Sequence, residues 1–122
     1  MNLTLVPCDG YVLVSVAGSI DSTTADDFGS RVRPVVENQD TDLLIDLSET
    51  DYVNSDALAE FIQLRDAAER HSRRIVLISP QPLVRQILST TRLDTILDIV
   101  DHLDEAVASV ERNSRLALDK GR

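Results

Sequence analysis

Glycine, cysteine, aromatic and basic residues are all scarce in this chain, and each shortage excludes something. Four glycines among 122 residues form neither a Gly-x-Gly-x-x-Gly nor a Gly-Lys-Ser/Thr phosphate loop, so the backbone cradle of nucleotide sites has nothing to be built from. Cys8 is the single cysteine; it rules out an internal disulfide and fits a reducing, cytoplasmic compartment. With no second thiol to resolve an oxidised form, Cys8 reads as a small hydrophobe rather than a redox sensor. Tryptophan is absent, and Tyr11, Phe28, Tyr52 and Phe61 are all the aromatics, so the core must be made of Leu, Ile, Val and Ala. The histidines, His71 and His102, stand far apart without Cys or carboxylate partners at ligand spacing. They read as solvated residues near helix ends, with no metal and no cofactor expected. Twelve Lys and Arg face 21 Asp and Glu, a net charge of −9. Such a surface repels phosphate backbones and anionic headgroups, so a protein with a basic patch is expected as partner, with no direct nucleic acid contact and no membrane insertion. Met1-Asn2-Leu3-Thr4 carries no basic n-region and no long apolar run follows, so neither a secretory signal nor a membrane span is expected.

What is present is periodic. Leu3–Pro7 reads as extended, Cys8-Asp9-Gly10 as a turn, and Tyr11–Ala17 as a strand with Val12, Val14 and Val16 on one face. The two strands predict an antiparallel hairpin. Gly18-Ser19 breaks the second strand, and Asp21, Ser22 and Thr23 are suited to cap a helix. Ala25, Phe28, Val32, Val35 and Val36 follow at helical spacing, to an end near Asn38. Leu43-Leu44-Ile45 and Ile75-Val76-Leu77-Ile78 are unbroken apolar runs, suited to parallel strands covered on both faces. Between them, Leu58, Phe61, Ile62, Leu64 and Ala68 mark a helix over Ala57–Arg70, completing a right-handed crossover unit. Arg65 falls by phase inside that apolar arc and is expected to snorkel out of it. Ser79-Pro80 predicts the start of a further helix, with Leu83, Val84, Ile87 and Leu88 as its apolar face. Leu97–Val100 reads as a last strand and Asp101 as the cap of a final helix buried through Leu103, Ala106, Val107 and Val110. The order ββαβαβαβα describes one α/β domain over residues 1–112, a sandwich on a mixed sheet with helices mainly on one side. Residues 113–122 are polar and basic and are expected to fray.

One linking segment carries more than packing. Asp46-Leu47-Ser48-Glu49-Thr50-Asp51-Tyr52-Val53-Asn54-Ser55-Asp56-Ala57-Leu58 joins a buried strand to a helix start. Unpaired N–H groups and the positive end of the helix dipole gather at such a start, and they suit a phosphoryl group on the Ser55 hydroxyl. The plainer reading is that Asn54 or Ser55 only caps the helix, worth about 1 kcal/mol.

Three segments together resemble the STAS domain of the anti-sigma factor antagonists. Gly18-Ser19-Ile20-Asp21 and Thr24-Ala25 resemble the family's Gly-Glu-(Ile/Leu)-Asp turn and the Thr-Ala opening its first helix. Asp46 to Leu58 resembles Asp-Leu-Ser…(Phe/Tyr)-(Ile/Met)-Asp-Ser-(Ser/Thr)-Gly-Leu. Val76-Leu77-Ile78-Ser79-Pro80, Val84, Leu88 and Thr91-Arg92-Leu93 resemble the strand, loop and helix that lead to the family's Thr-Gly-Leu turn. The match spans nearly the whole chain. What the resemblance implies is a non-enzymatic partner switch. The unphosphorylated protein binds an anti-sigma factor that is itself a serine kinase, and so releases a sigma factor. Phosphorylation of one serine reverses this, and a serine phosphatase resets the cycle. The resemblance places that phosphorylation on Ser55 and the partner surface on Asp21, Ser22, Thr23, Thr24, Asn54, Ser55, Asp56 and Leu58. Asn54, Asp56, Ala57 and Arg92 depart from the usual Asp, Ser/Thr, Gly and Gly. For Asp21 a helix-capping role competes with partner contact. Two other readings stand beside the first: a STAS scaffold or sensor subunit of a larger signalling or transport complex without a phospho-switch, and a small α/β enzyme, for which no site assembles.

Overall fold

Alternation of β-branched and other residues along Tyr11–Ala17 forms strand β2, with Val12, Val14 and Val16 buried and Tyr11, Leu13 and Ser15 half-buried on its other face. The computed structural model describes residues 1–39 and 41–120, with side chains up to residue 111. Strand β1 (Asn2–Pro7) pairs antiparallel with β2, Pro7 opposite Val12, across a turn where Cys8 N–H donates to Tyr11 C=O at 2.8 Å and Gly10 takes φ 89°. Cys8 is exposed in that turn, not packed in the core.

Strands β3 (Asp42–Glu49), β4 (Ile75–Ile78) and β5 (Asp98–Val100) extend the sheet in parallel, giving the spatial order β1-β2-β3-β4-β5. As their apolar runs predict, β3 and β4 are parallel neighbours, with Leu43 opposite Ile75 and Asp46 opposite Ile78. Parallel pairing needs a crossover, and helices supply it: α1 (Ala25–Gln39), α2 (Ser55–Arg70) and α3 (Pro82–Thr90). Their apolar stripes meet Val12, Val14, Val16, Leu43, Ile45, Leu47 and Leu77 in one large core. Phe28 of α1 and Phe61 of α2 contact edge to face there, ring centres 5.8 Å apart at 89°. Helix α4 (Leu103–Lys120) covers the other sheet face, where Ala106 and Val110 meet Leu44, Val76 and Ile78. Helices therefore lie mainly, but not wholly, on one side.

Local outcomes differ from the sequence pattern in several places. The third helix starts at Pro82, not at Pro80. Ser79, just past the end of β4, donates its N–H to Val100 C=O at 2.9 Å and turns the chain with a left-handed φ of 53°, so the helix opens only beyond it. Leu83 is 51% exposed instead of joining Val84 and Leu88 in the core, and Leu103 is 43% exposed. Arg92, where the family's glycine stands, holds a left-handed φ of 63° between α3 and a short 3-10 turn (Leu93–Thr95). Arg65 leaves the apolar arc as expected: its Nε donates to Ile96 C=O at 2.9 Å and it pairs with Glu69 at 3.0 Å.

Candidate functional site

Two turns meet at the end of the sheet where β3 finishes. After β2, Gly18 (φ 94°) lets the chain bend. Gly18 N–H bonds Glu49 C=O at 3.0 Å, and Asp51 N–H bonds Gly18 C=O at 3.2 Å. Ile20 and Val53 form a parallel bridge, with Ile20 N–H on Tyr52 C=O at 3.0 Å and Asn54 N–H on Ile20 C=O at 3.2 Å. Both side chains are buried and anchor the pair of segments from below. The residues that follow each anchor, Asp21 and Asn54-Ser55, are thereby set side by side. Thr50 adds a buried tie that sequence reasoning did not single out: its hydroxyl donates to Val16 C=O at 2.8 Å. It lies in the polar run Ser48-Glu49-Thr50-Asp51, so nothing in the sequence marked it for burial.

The Asp21 turn is closed by its own side chains. Asp21 Oδ1 accepts from the Thr23 hydroxyl at 2.7 Å and from Thr23 N–H at 3.0 Å. Asp21 N–H donates to Thr24 Oγ1 at 2.9 Å, and that hydroxyl donates to Ser19 C=O at 3.1 Å. The hydrogen bond from the Thr23 hydroxyl, then that from Thr23 N–H, holds the Asp21 carboxyl below its ordinary value. A carboxylate so depressed is ionised at neutral pH; its tie to Thr23 is fully present above the ordinary carboxylate range and is lost as the pH falls through the lowered value. Asp21 and Thr24 are half-buried, and Ser22 and Thr23 are exposed.

At the second turn the choice between Asn54 and Ser55 as cap is resolved. Asn54, with extended backbone, accepts from Ala57 N–H through Oδ1 at 3.1 Å, and its carbonyl takes Leu58 N–H at 3.0 Å. Ser55 is the first residue of α2, exposed and not needed as the cap. Asn54 claims the Ala57 N–H, which leaves those of Ser55 and Asp56 pointing out of the helix start. Asp56 is exposed beside Ser55, and Tyr52, two residues before Asn54, is 44% exposed. Leu58 corrects the expected surface: it is only 9% exposed and packs into the main core, because it lies on the same flank of α2 as Phe61. Asp21 to Thr24 and Asn54 to Asp56 are exposed or half-buried, whereas Leu58 is not available at the surface. Asn54→Ala should lower stability by about 1 kcal/mol, since the Ala57 N–H loses its acceptor. Ser55→Ala should lower it by less, and urea denaturation of the two variants checks the order.

The described residues hold no group of three or more His, Cys, Asp and Glu placed to grip a metal ion. Nor do they include a helix long and apolar enough to cross a membrane. A notch of about 300 Å³ lined by Thr4, Ser15, Asp46 and Glu49 lies nearby, open and polar.

The chain is thus a five-stranded mixed sheet that fixes two polar turns side by side at one end. The chain belongs to the STAS domain family, whose model matches residues 3–106. It is 21% identical over 109 residues to BtrV of Bordetella bronchiseptica, a candidate anti-sigma factor antagonist, covering 89% of this chain and 94% of that protein. Its fold superposes on a candidate anti-sigma factor antagonist of Thermotoga maritima with a TM-score of 0.83 at 22% identity, over 89% of this chain and 94% of that one. It also superposes on an anti-sigma factor antagonist of Mycobacterium paratuberculosis with a TM-score of 0.81 at 24% identity, over 90% and 93%.

Proposed function

We propose that this chain is an anti-sigma factor antagonist that works by partner switching, without catalysis of its own. It binds an anti-sigma factor with serine kinase activity through the Asp21 and Ser55 turns, and phosphorylation of Ser55 by that partner ends the complex. A serine phosphatase restores it. The observation that carries this reading is Ser55 itself: an exposed hydroxyl at the start of α2, released from capping duty by Asn54 and set beside the Asp21 turn. Asp21, Asp51 and Asp56 give the surface an acidic character suited to a basic face. The cytoplasm, where sigma factors act, is the compartment this role requires.

Affinity capture with mass spectrometry tests the reading. The wild-type chain should retain a serine-kinase anti-sigma factor, and the double variant Asp21→Lys/Asp56→Lys should retain little of it. Equal capture by both would remove these turns from the interface. Asp56 favours a second reading, since its charge beside Ser55 opposes addition of a phosphoryl group. In that reading the same surface serves a scaffold or sensor subunit of a larger complex.

A further inference from the structure

Glu60 and Gly29 depart from what their positions call for. Glu60 on α2 is 8% exposed, and carboxylates are almost never so buried unless paired. Its Oε2 accepts a 2.7 Å hydrogen bond from Arg33 Nη2 on α1. Gly29, buried in the middle of α1, stands opposite: a Cβ there would lie 2.1 Å from the same Glu60 oxygen and 2.8 Å from Arg33 Nη2. A glycine within a helix is unfavourable against alanine by about 1 kcal/mol. Here its missing side chain is the space that the carboxylate fills. Arg33 Nε is buried with no acceptor, so Glu60 is what holds the guanidinium in place.

The location matters more than the pair. Gly29 and Glu60 adjoin Phe28 and Phe61, whose rings meet at the α1–α2 contact. Phe28 N–H bonds Thr24 C=O at 3.0 Å, and Thr24 holds Asp21. Glu60 lies on the helix that opens with Ser55, little more than a turn along. The contact thus joins the two helices close to both turns of the candidate surface. Apolar contacts tolerate sliding, whereas a hydrogen-bonded ion pair seated in a gap one side chain wide admits a single register.

We propose that Glu60, seated on Gly29 and gripped by Arg33, is a positioning residue: it sets the spacing of the Asp21 and Ser55 turns and so controls partner affinity without touching the partner. This rests on the partner-binding reading of those turns. Backbone amide resonances of the isolated full chain, together with affinity for the anti-sigma factor that the wild type captures, provide the test. Glu60→Gln keeps an acceptor for Arg33 and should leave the resonances of Asp21–Thr24 and Asn54–Ala57 at their wild-type positions. Glu60→Ala should stay folded, shift both sets together and weaken the complex about tenfold. Gly29→Ala should destabilise the chain through the clash. Adding Glu60→Ala to it should recover stability but not the resonances. A Glu60→Ala chain that unfolds more easily yet keeps both sets of resonances would make the pair merely structural and overturn the proposal. Resonances that move in a chain whose wild type captures no anti-sigma factor would overturn the partner reading and leave the spacing role standing.

Discussion

Ser55→Glu should weaken binding to the anti-sigma factor at least about a hundredfold while the chain remains folded. Ser55 is exposed at the first position of α2 and Asn54 supplies the cap, so nothing in the fold depends on its hydroxyl. A carboxylate there is favoured by the helix dipole, so folding stability should change by less than about 1 kcal/mol. Binding is different. The new charge joins Asp21, Asp51 and Asp56 on a chain already at −9, at a turn that an interface must strip of water. An unpaired charge desolvated in that way costs several kcal/mol, and about 2.7 kcal/mol is already a hundredfold in affinity. Ser55→Ala, by contrast, should bind as the unmodified chain does and resist the kinase. Titration calorimetry with the captured partner separates the cases. Wild-type affinity in Ser55→Glu, with no modification of Ser55 by the cognate kinase, would end the phospho-switch reading in favour of the scaffold.

Phe61→Ala should lower stability by about 3–5 kcal/mol. Phe61 is fully buried and its ring meets Phe28 at the α1–α2 contact, so truncation removes both buried area and an aromatic pair. Domains of this kind have total stabilities of about 5–15 kcal/mol, so the variant should be near the limit of folding at 37 °C. Tyr52→Ala removes an aromatic that is 44% exposed and should stay within about 0.5 kcal/mol of wild type. Urea midpoints of the two variants give the comparison. A loss below about 1.5 kcal/mol for Phe61→Ala would show that the α1–α2 contact collapses around the gap instead of holding its shape.

Most of the architecture was legible because period and burial coincide. Val12, Val14 and Val16 alternate and face the large core; Ala25, Phe28, Val32, Val35 and Val36 recur at helical spacing and are all buried. The apolar runs of β3 and β4 show no alternation because helices cover both faces of the sheet there. Where local signals competed, they misled. Ser79-Pro80 has the chemistry of a helix start, but the bond of Ser79 N–H to Val100 C=O and its left-handed φ hold it in a turn just past β4, and the role passes to Pro82. Leu58 stood both in the apolar stripe of α2 and, by the resemblance, on the partner surface; it packs in the core, as the stripe predicts.

The sequence by itself determined the α/β order, the parallel pairing of the central strands and the placing of Ser55 at a helix start, because these depend on local periodicity and on capping chemistry a few residues long. Only the tertiary structure decided that Asn54 and not Ser55 is the cap, that the Asp21 turn lies against the Ser55 turn through Ile20 and Val53, and that Glu60 is buried on Gly29 beside Arg33. The last two depend on which atoms meet across more than a few residues of chain. That is settled by the packing of α1 on α2 and by the hydrogen bonds between segments about 30 residues apart, distances over which no sequence period extends.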